Sequence, residues 1–318
     1  DLLPTVNSDL KIYSYGKYFY RIERSNSNSI IKFSIEAPSK PIWQFSTDEA
    51  GDANSNPSAI IFVNETKAYL LRYNSTKAWI VNPSAATQSE FKIGELDLSA
   101  YGDNDGIPEM ASGVIVDHRL FIALQRYDMI NYGPNNISYL VVFDTNTDTK
   151  ITDLPLAVRN PSGKIKYYDG YIYIPGADNM YGGTAINGGI QRVDTSTYAA
   201  DPTIIAANKN ISNVEIISNT KGYLVQYDAI WVPPYGKTYL KSFNPANGVI
   251  DANNVADIGN NDKSNIQDII KDSNNLLWIA EAPLTNPGIY IVDTATDTLQ
   301  EGPISTNLNP LDITFCEL

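Results

Sequence analysis

One short signature recurs along this chain: an apolar, β-rich run that ends in Asp or Asn followed by Thr or Pro. It reads Ile80-Val81-Asn82-Pro83, Val142-Phe143-Asp144-Thr145, Arg192-Val193-Asp194-Thr195, Ser242-Phe243-Asn244-Pro245 and Ile291-Val292-Asp293-Thr294. The Asx positions are separated by 62, 50, 50 and 49 residues. Asp or Asn opening a turn suits an Asx-turn, in which the side chain accepts the backbone N–H two residues on. A repeat of about fifty residues built from short strands is the mark of a β-propeller. The reading is all-β, one propeller domain over residues 1–318.

Each repeat divides into four strands, A to D, separated by turn residues. The second copy gives Ala59–Val63, Ala68–Arg72, Ala78–Val81 and Phe91–Leu96. Six copies are complete, the fourth with its D strand near Thr203–Ala206 and the fifth with a poor D strand around Val255–Ile258. Asn309–Phe315 repeats the pattern of Asn56–Phe62 and reads as the A strand of a seventh copy, with Asp1–Val6 in the place of its D strand. The expectation is seven four-stranded blades, the last closed by both termini. Six blades with the tail capping an edge is the alternative. The expected core includes Phe19, Tyr69, Phe121, Ile172, Leu224 and Trp278.

The run Ile291-Val292-Asp293-Thr294-Ala295-Thr296-Asp297-Thr298 resembles the YncE-like, YVTN-repeat propellers of bacterial and archaeal envelope and surface proteins. Tyr18–Arg24 and Lys77–Pro83 look like uncharacterised envelope propellers of Gram-negative bacteria. The resemblance implies binding or scaffolding rather than catalysis.

Charge and side-chain chemistry narrow the function. The net charge of −13, with no basic run, disfavours a nucleic-acid ligand. No apolar stretch approaches the ~20 residues of a membrane-spanning helix. The chain begins at Asp1, which reads as a processed product and points to a secreted, periplasmic or cell-surface location. Sequons at Asn64, Asn74, Asn136 and Asn210 add a hint of an exported surface. A single Cys, Cys316, excludes an intramolecular disulfide. The only His, His118, falls in a turn between A and B strands, which argues against zinc and against a Ser-His-Asp triad. The glycine pairs at 182–183 and 188–189 flank a loop, not a strand–helix junction, so no phosphate loop is present.

In a propeller blade the D–A connections and B–C loops share one face, and the A–B and C–D turns the other. Here the latter are short, whereas the B–C loops Arg126–Ser138, Pro175–Gly189 and Asp228–Thr238 are long. They carry Tyr127, Asp128, Tyr132, Asp178, Asn179, Tyr181, Trp231 and Tyr235, aromatic and polar groups of the kind used in partner recognition. The expected partner is an envelope protein, a glycan or a second copy of the chain.

The D–A connections are acidic. Asp103, Asp105 and Glu109 offer hard oxygen ligands around Gly106, a composition that suits Ca2+ but lacks EF-hand spacing. Asn7, Asn56, Glu109, Asn160, Asn213 and Asn265 fall near comparable blade starts. Six-bladed lactonases resembling regucalcin hold one calcium at such positions, so Glu109 with Asn160 marks an enzymatic alternative: a calcium-dependent lactonase working in the central channel.

Overall fold

The computed structural model describes residues 9–51, 54–127, 136–178, 187–228, 230, 236–258, 264–283 and 285–316. Among these residues the strands form six antiparallel meanders, one per sequence repeat. The first sheet is β1 (Leu10–Tyr15), β2 (Tyr18–Glu23), β3 (Ser29–Ser34) and β4 (Trp43–Ser46). The second is β5 (Pro57–Asn64), β6 (Lys67–Arg72), β7 (Lys77–Val81) and β8 (Lys92–Asp97), with the single helical turn α1 (Gln88–Phe91) before its last strand. The third is β9 (Met110–Val116), β10 (Arg119–Leu124), β11 (Tyr139–Asp144) and β12 (Thr149–Pro155). The fourth has β13 (Lys166–Tyr168), β14 (Tyr171–Gly176) and β15 (Gly189–Asp194). The fifth has β16 (Ile211–Ser218), β17 (Lys221–Tyr227) and β18 (Thr238–Phe243). The sixth is β19 (Ile266–Lys271), β20 (Leu276–Glu281), β21 (Gly288–Asp293) and β22 (Thr298–Ser305).

The chain divides into two compact units, one holding the first three sheets and the other the last three. Within each, the first strands of successive sheets pack together: β1 with β5 and β5 with β9, then β13 with β16 and β16 with β19. The second strands are apolar without alternation because both of their faces are covered. In β6, Tyr69 and Leu71 join the core shared with the third sheet, while Ala68 and Leu70 join the core shared with the first. In β17, Tyr223 and Val225 pack toward the sixth sheet and Leu224 toward the fourth. Opposite faces of one strand thus serve two cores, as a period of two requires. The fourth strands β8, β12 and β22 are largely polar and exposed.

The recurrent Asx-Thr/Pro signature closes the third-to-fourth-strand turns. At Asp144, Asp194, Asn244 and Asp293 the side chain accepts the N–H two residues on, at 2.7–2.9 Å. Their carbonyls accept the N–H four residues on. The fifth residue, Asp148, Tyr198, Gly248 or Asp297, adopts positive φ between 57° and 73°, which stops the turn from continuing as helix. Thr completes the motif by binding the neighbouring first-to-second-strand turn: Thr195 Oγ1 donates to the Gly170 carbonyl and Thr294 Oγ1 to that of Asn275. The second strand of the preceding sheet then reads the turn. Tyr69 and Lys67 bind Asp148 in the first unit, and Tyr223 and Lys221 bind Asp297 in the second.

Three expectations need correction. The described chain forms six sheets, which matches the six-bladed alternative and not the seven-bladed expectation. Residues 306–316 contain no strand and are held by side chains: Ser14 Oγ meets Thr314 Oγ1 and the Phe315 carbonyl, and Asp268 accepts the Ile313 N–H at 3.0 Å. A segment whose backbone is bound by side chains has no ladder on which a blade could be built. Asp1–Val6 lies outside the described residues. In the fourth and fifth sheets the last strand is reduced to isolated bridges, Ile190–Ile205, Val193–Ala200 and Phe243–Ile250, and Val255–Asp257 is a 3-10 turn. Finally, Tyr69, Phe121, Ile172 and Leu224 are fully buried, but Phe19 and Trp278 are only half-buried. Their neighbours Tyr20 and Leu277 take the core positions, a one-residue offset that moves a side chain to the other face. Phe19 instead stacks on Phe33 and Trp278 Nε1 donates to Asp272.

Candidate functional site

The residue before or at the start of each first strand makes one recurrent hydrogen bond. Its carbonyl accepts the N–H of the residue that ends or follows the second strand: Asp9 from Arg24, Asn56 from Tyr73, Glu109 from Gln125, Asn160 from Ala177, Asn210 from Tyr227 and Asn265 from Ala282. Asn56, Glu109 and Asn160 hold positive φ of 45–49° there, a conformation tolerated best by Asn and Asp. The expected positions Asn56, Glu109, Asn160 and Asn265 are thus equivalent, whereas Asn213 is not. Asn210 occupies the fifth position, and Asn213 sits within β16, where its Nδ2 donates to Asp268 Oδ1 at 3.1 Å. Asp9 fills the first position, and Asn7 lies outside the described residues.

This edge of each sheet gathers buried polar groups. In the first unit Glu109 is 1% exposed and accepts the Tyr127 N–H at 3.1 Å. Burial pushes its carboxyl up to about 9, helped by the charges of Asp105 and Asp103 and opposed by the Tyr127 N–H and the Arg126 guanidinium. Glu109 is therefore a neutral acid at pH 7. Tyr127 is 1% exposed, so its ring belongs to the interior and not to a contact surface. Asp103 Oδ1 accepts the Asp105 N–H at 3.2 Å and Asp105 Oδ1 the Ile107 N–H at 2.8 Å, so both carboxylates bond within their own loop. Among the described residues, no group of three or more His, Cys, Asp or Glu side chains is gathered closely enough to hold a metal ion.

In the second unit Asn160 is 1% exposed, its N–H donates to Ser138 Oγ at 3.0 Å, and neither its side-chain nitrogen nor its oxygen has a hydrogen-bond partner. The equivalent Asn210 has an unpartnered Oδ1, and Arg159 an unpartnered Nη1. Such groups cost about 1–3 kcal/mol each when nothing satisfies them. Asp178, buried, accepts the Asn187 N–H at 2.9 Å and so fixes the far side of its loop. Asp128, Tyr132, Asn179, Tyr181, Trp231 and Tyr235 lie outside the described residues.

A second polar assembly lies on the first strands of this unit. Lys164 Nζ pairs with Asp268 Oδ2 at 2.9 Å and with Asp312, and Lys166 Nζ pairs with Glu215 Oε2 at 2.7 Å. The carboxylates of Asp268 and Asp312 are almost fully buried. Sequence reasoning did not single this group out. The signal was present as polar–apolar alternation: Lys164-Ile165-Lys166, Asn213-Val214-Glu215 and Gln267-Asp268-Ile269.

No family model matches the chain, and no curated protein matches it in sequence. Solved structures do match in fold. U3-55K superposes with a TM-score of 0.60 at 10% identity, covering 94% of this chain and 82% of that one. The Dos1 propeller gives 0.61 at 9% identity over 94% and 69% of the two chains. A dihydro-heme d1 dehydrogenase, NirN, gives 0.53 at 9% identity over 92% and 56%. At these identities the likeness shows the fold alone: the chain is a β-propeller, an architecture compatible with binding and scaffolding. No long apolar helix capable of crossing a membrane occurs among the described residues.

Proposed function

We propose that this protein is a non-enzymatic propeller that binds a polar partner at the sheet edges where first strands begin and second strands end. One observation carries the reading: the two edges of the sheets are built differently. At the opposite edge the connections at Asn64, Asp144, Asp194, Asn244 and Asp293 are short turns, closed by their own Asx side chains. At the proposed edge lie the long second-to-third-strand connections of the third, fourth and fifth sheets. Loop length beyond what a hairpin needs is a feature of recognition surfaces. The net charge of −13 favours a neutral or basic partner.

The resemblance to YncE-like repeats and the sequons support a secreted or periplasmic setting, with an envelope protein, a glycan or a second copy as partner. The test is capture of the partner from a native envelope extract. Replacing both Tyr181 and Trp231 with Ala is expected to lower capture at least tenfold while moving the melting temperature by only a few degrees, since loop changes usually cost under ~0.5 kcal/mol. A Ser196→Ala control at the opposite edge is expected to capture normally. Loss in the control with retention in the loop variant would place recognition on the wrong edge for this reading.

A further inference from the structure

A polar assembly of Lys164, just before β13, with Asn213 on β16 and Asp268 on β19 lies near the first-strand starts, and Asp312 and Ile313 of the chain's own C-terminal segment are seated on it. Two contacts define the seat. The Asp312 carboxylate meets Lys164 Nζ, and the backbone N–H of the next residue, Ile313, donates to Asp268 Oδ2 at 3.0 Å. Asp268 does not depend on the tail for its own charge balance. It is paired with Lys164 at 2.9 Å and receives Asn213 Nδ2 at 3.1 Å. Asn213 and Asp268 stand on first strands and Lys164 two residues before one, while Asp312 and Ile313 contribute one carboxylate and one backbone N–H.

The occupant is built differently from the sheets. It forms no ladder, and it follows an exposed turn in which Thr306 Oγ1 donates to the Leu308 carbonyl and Leu308 is 68% exposed. A segment held by side-chain contacts and joined through an exposed turn can leave without unpairing any strand. We infer that this face is a binding site for an extended peptide that presents one Asp side chain, and that residues 309–313 occupy it as an internal substitute for a partner segment of the same chemistry. The recognition is two-point: Lys164 reads an Asp carboxylate, and Asp268 reads the N–H of the residue after it. Because the carboxylate and N–H come from successive residues, the grip also fixes chain direction.

The experiment uses the full chain with a protease site inserted between Asn307 and Leu308. After cleavage, a fluorescein-labelled peptide of the sequence Asn309–Leu318 is added and its anisotropy followed under reducing conditions. The cut protein is expected to take up the peptide and the uncut protein to exclude it. An Asp312→Asn peptide, or Lys164→Gln protein, is expected to bind at least tenfold more weakly. Thermal melts of the cut protein accompany each titration. Uptake independent of Asp312 and Lys164, or equal uptake by uncut protein, overturns the inference. So does a cut protein that retains its melt yet takes up no peptide, and so does one that unfolds on cleavage, since the tail is then part of the fold.

Discussion

Glu109→Gln is expected to stabilise the protein increasingly as pH rises from about 5 to about 9. The carboxyl of Glu109 is pushed up to about 9 in the folded chain, well above its ordinary value of 4.5, chiefly by burial. Between those two values the native state holds a proton that the unfolded chain has released. Stability then falls with rising pH, by up to about 1.4 kcal/mol per unit for one full proton. The contribution is fully present below the unfolded value and lost as pH climbs toward 9. Gln keeps the acceptor for the Tyr127 N–H and removes the titration. Urea unfolding of both proteins at pH 5, 7 and 8.5 checks this, with the Gln variant gaining on the parent at each step. A constant difference across that range would mean that Glu109 is ionised in the folded chain and that the polar edge of this unit is solvated.

Asp268→Ala is expected to destabilise by roughly 1–3 kcal/mol, the range for leaving a buried donor without its acceptor. The substitution leaves Asn213 Nδ2 without its acceptor, removes one of the two acceptors of the Ile313 N–H and deprives Lys164 of one of its two carboxylates. Asp268→Asn retains an acceptor and is expected to cost less. Urea midpoints at constant m-value measure both. A loss below about 1 kcal/mol for Ala would show that the side chain is hydrated rather than locked between strands.

Much of the fold could be read from the residues because the same local device is repeated. Asp144, Asp194, Asn244 and Asp293 each open a turn whose side-chain acceptor, carbonyl acceptor and final positive-φ residue lie within five positions, so the repeat encodes its own geometry. The seven-blade expectation fails, and six holds, for a physical reason. Asn309–Phe315 resembles Asn56–Phe62 in sequence, but Pro57–Asn64 forms a ladder with β6, whereas the tail is bound by Ser14 and Asp268. Sequence similarity does not report which partner takes the backbone hydrogen bonds.

The candidate edge was partly legible for the same reason. Asn56, Glu109, Asn160 and Asn265 stand at comparable blade starts, as their spacing suggests, but the backbone carbonyl role they share there is not written in the side chains. Asn213 was confused with Asn210, which lies three residues earlier and makes the recurrent bond. The Lys164–Asp268–Asp312 group was beyond reach of spacing, because its members are 104 and 148 residues from Lys164. Alternation along each strand marked the faces, but only folding brings them together.

The claim that recognition uses one edge of the sheets is tested most directly by amide hydrogen exchange on the protein with and without its captured partner. Protection is expected in 125–138, 177–188 and 228–237, the second-to-third-strand connections, with little change in the turns at 144–148, 194–198, 244–248 and 293–297. Protection concentrated in those four turns, with the long connections unchanged, would contradict the account.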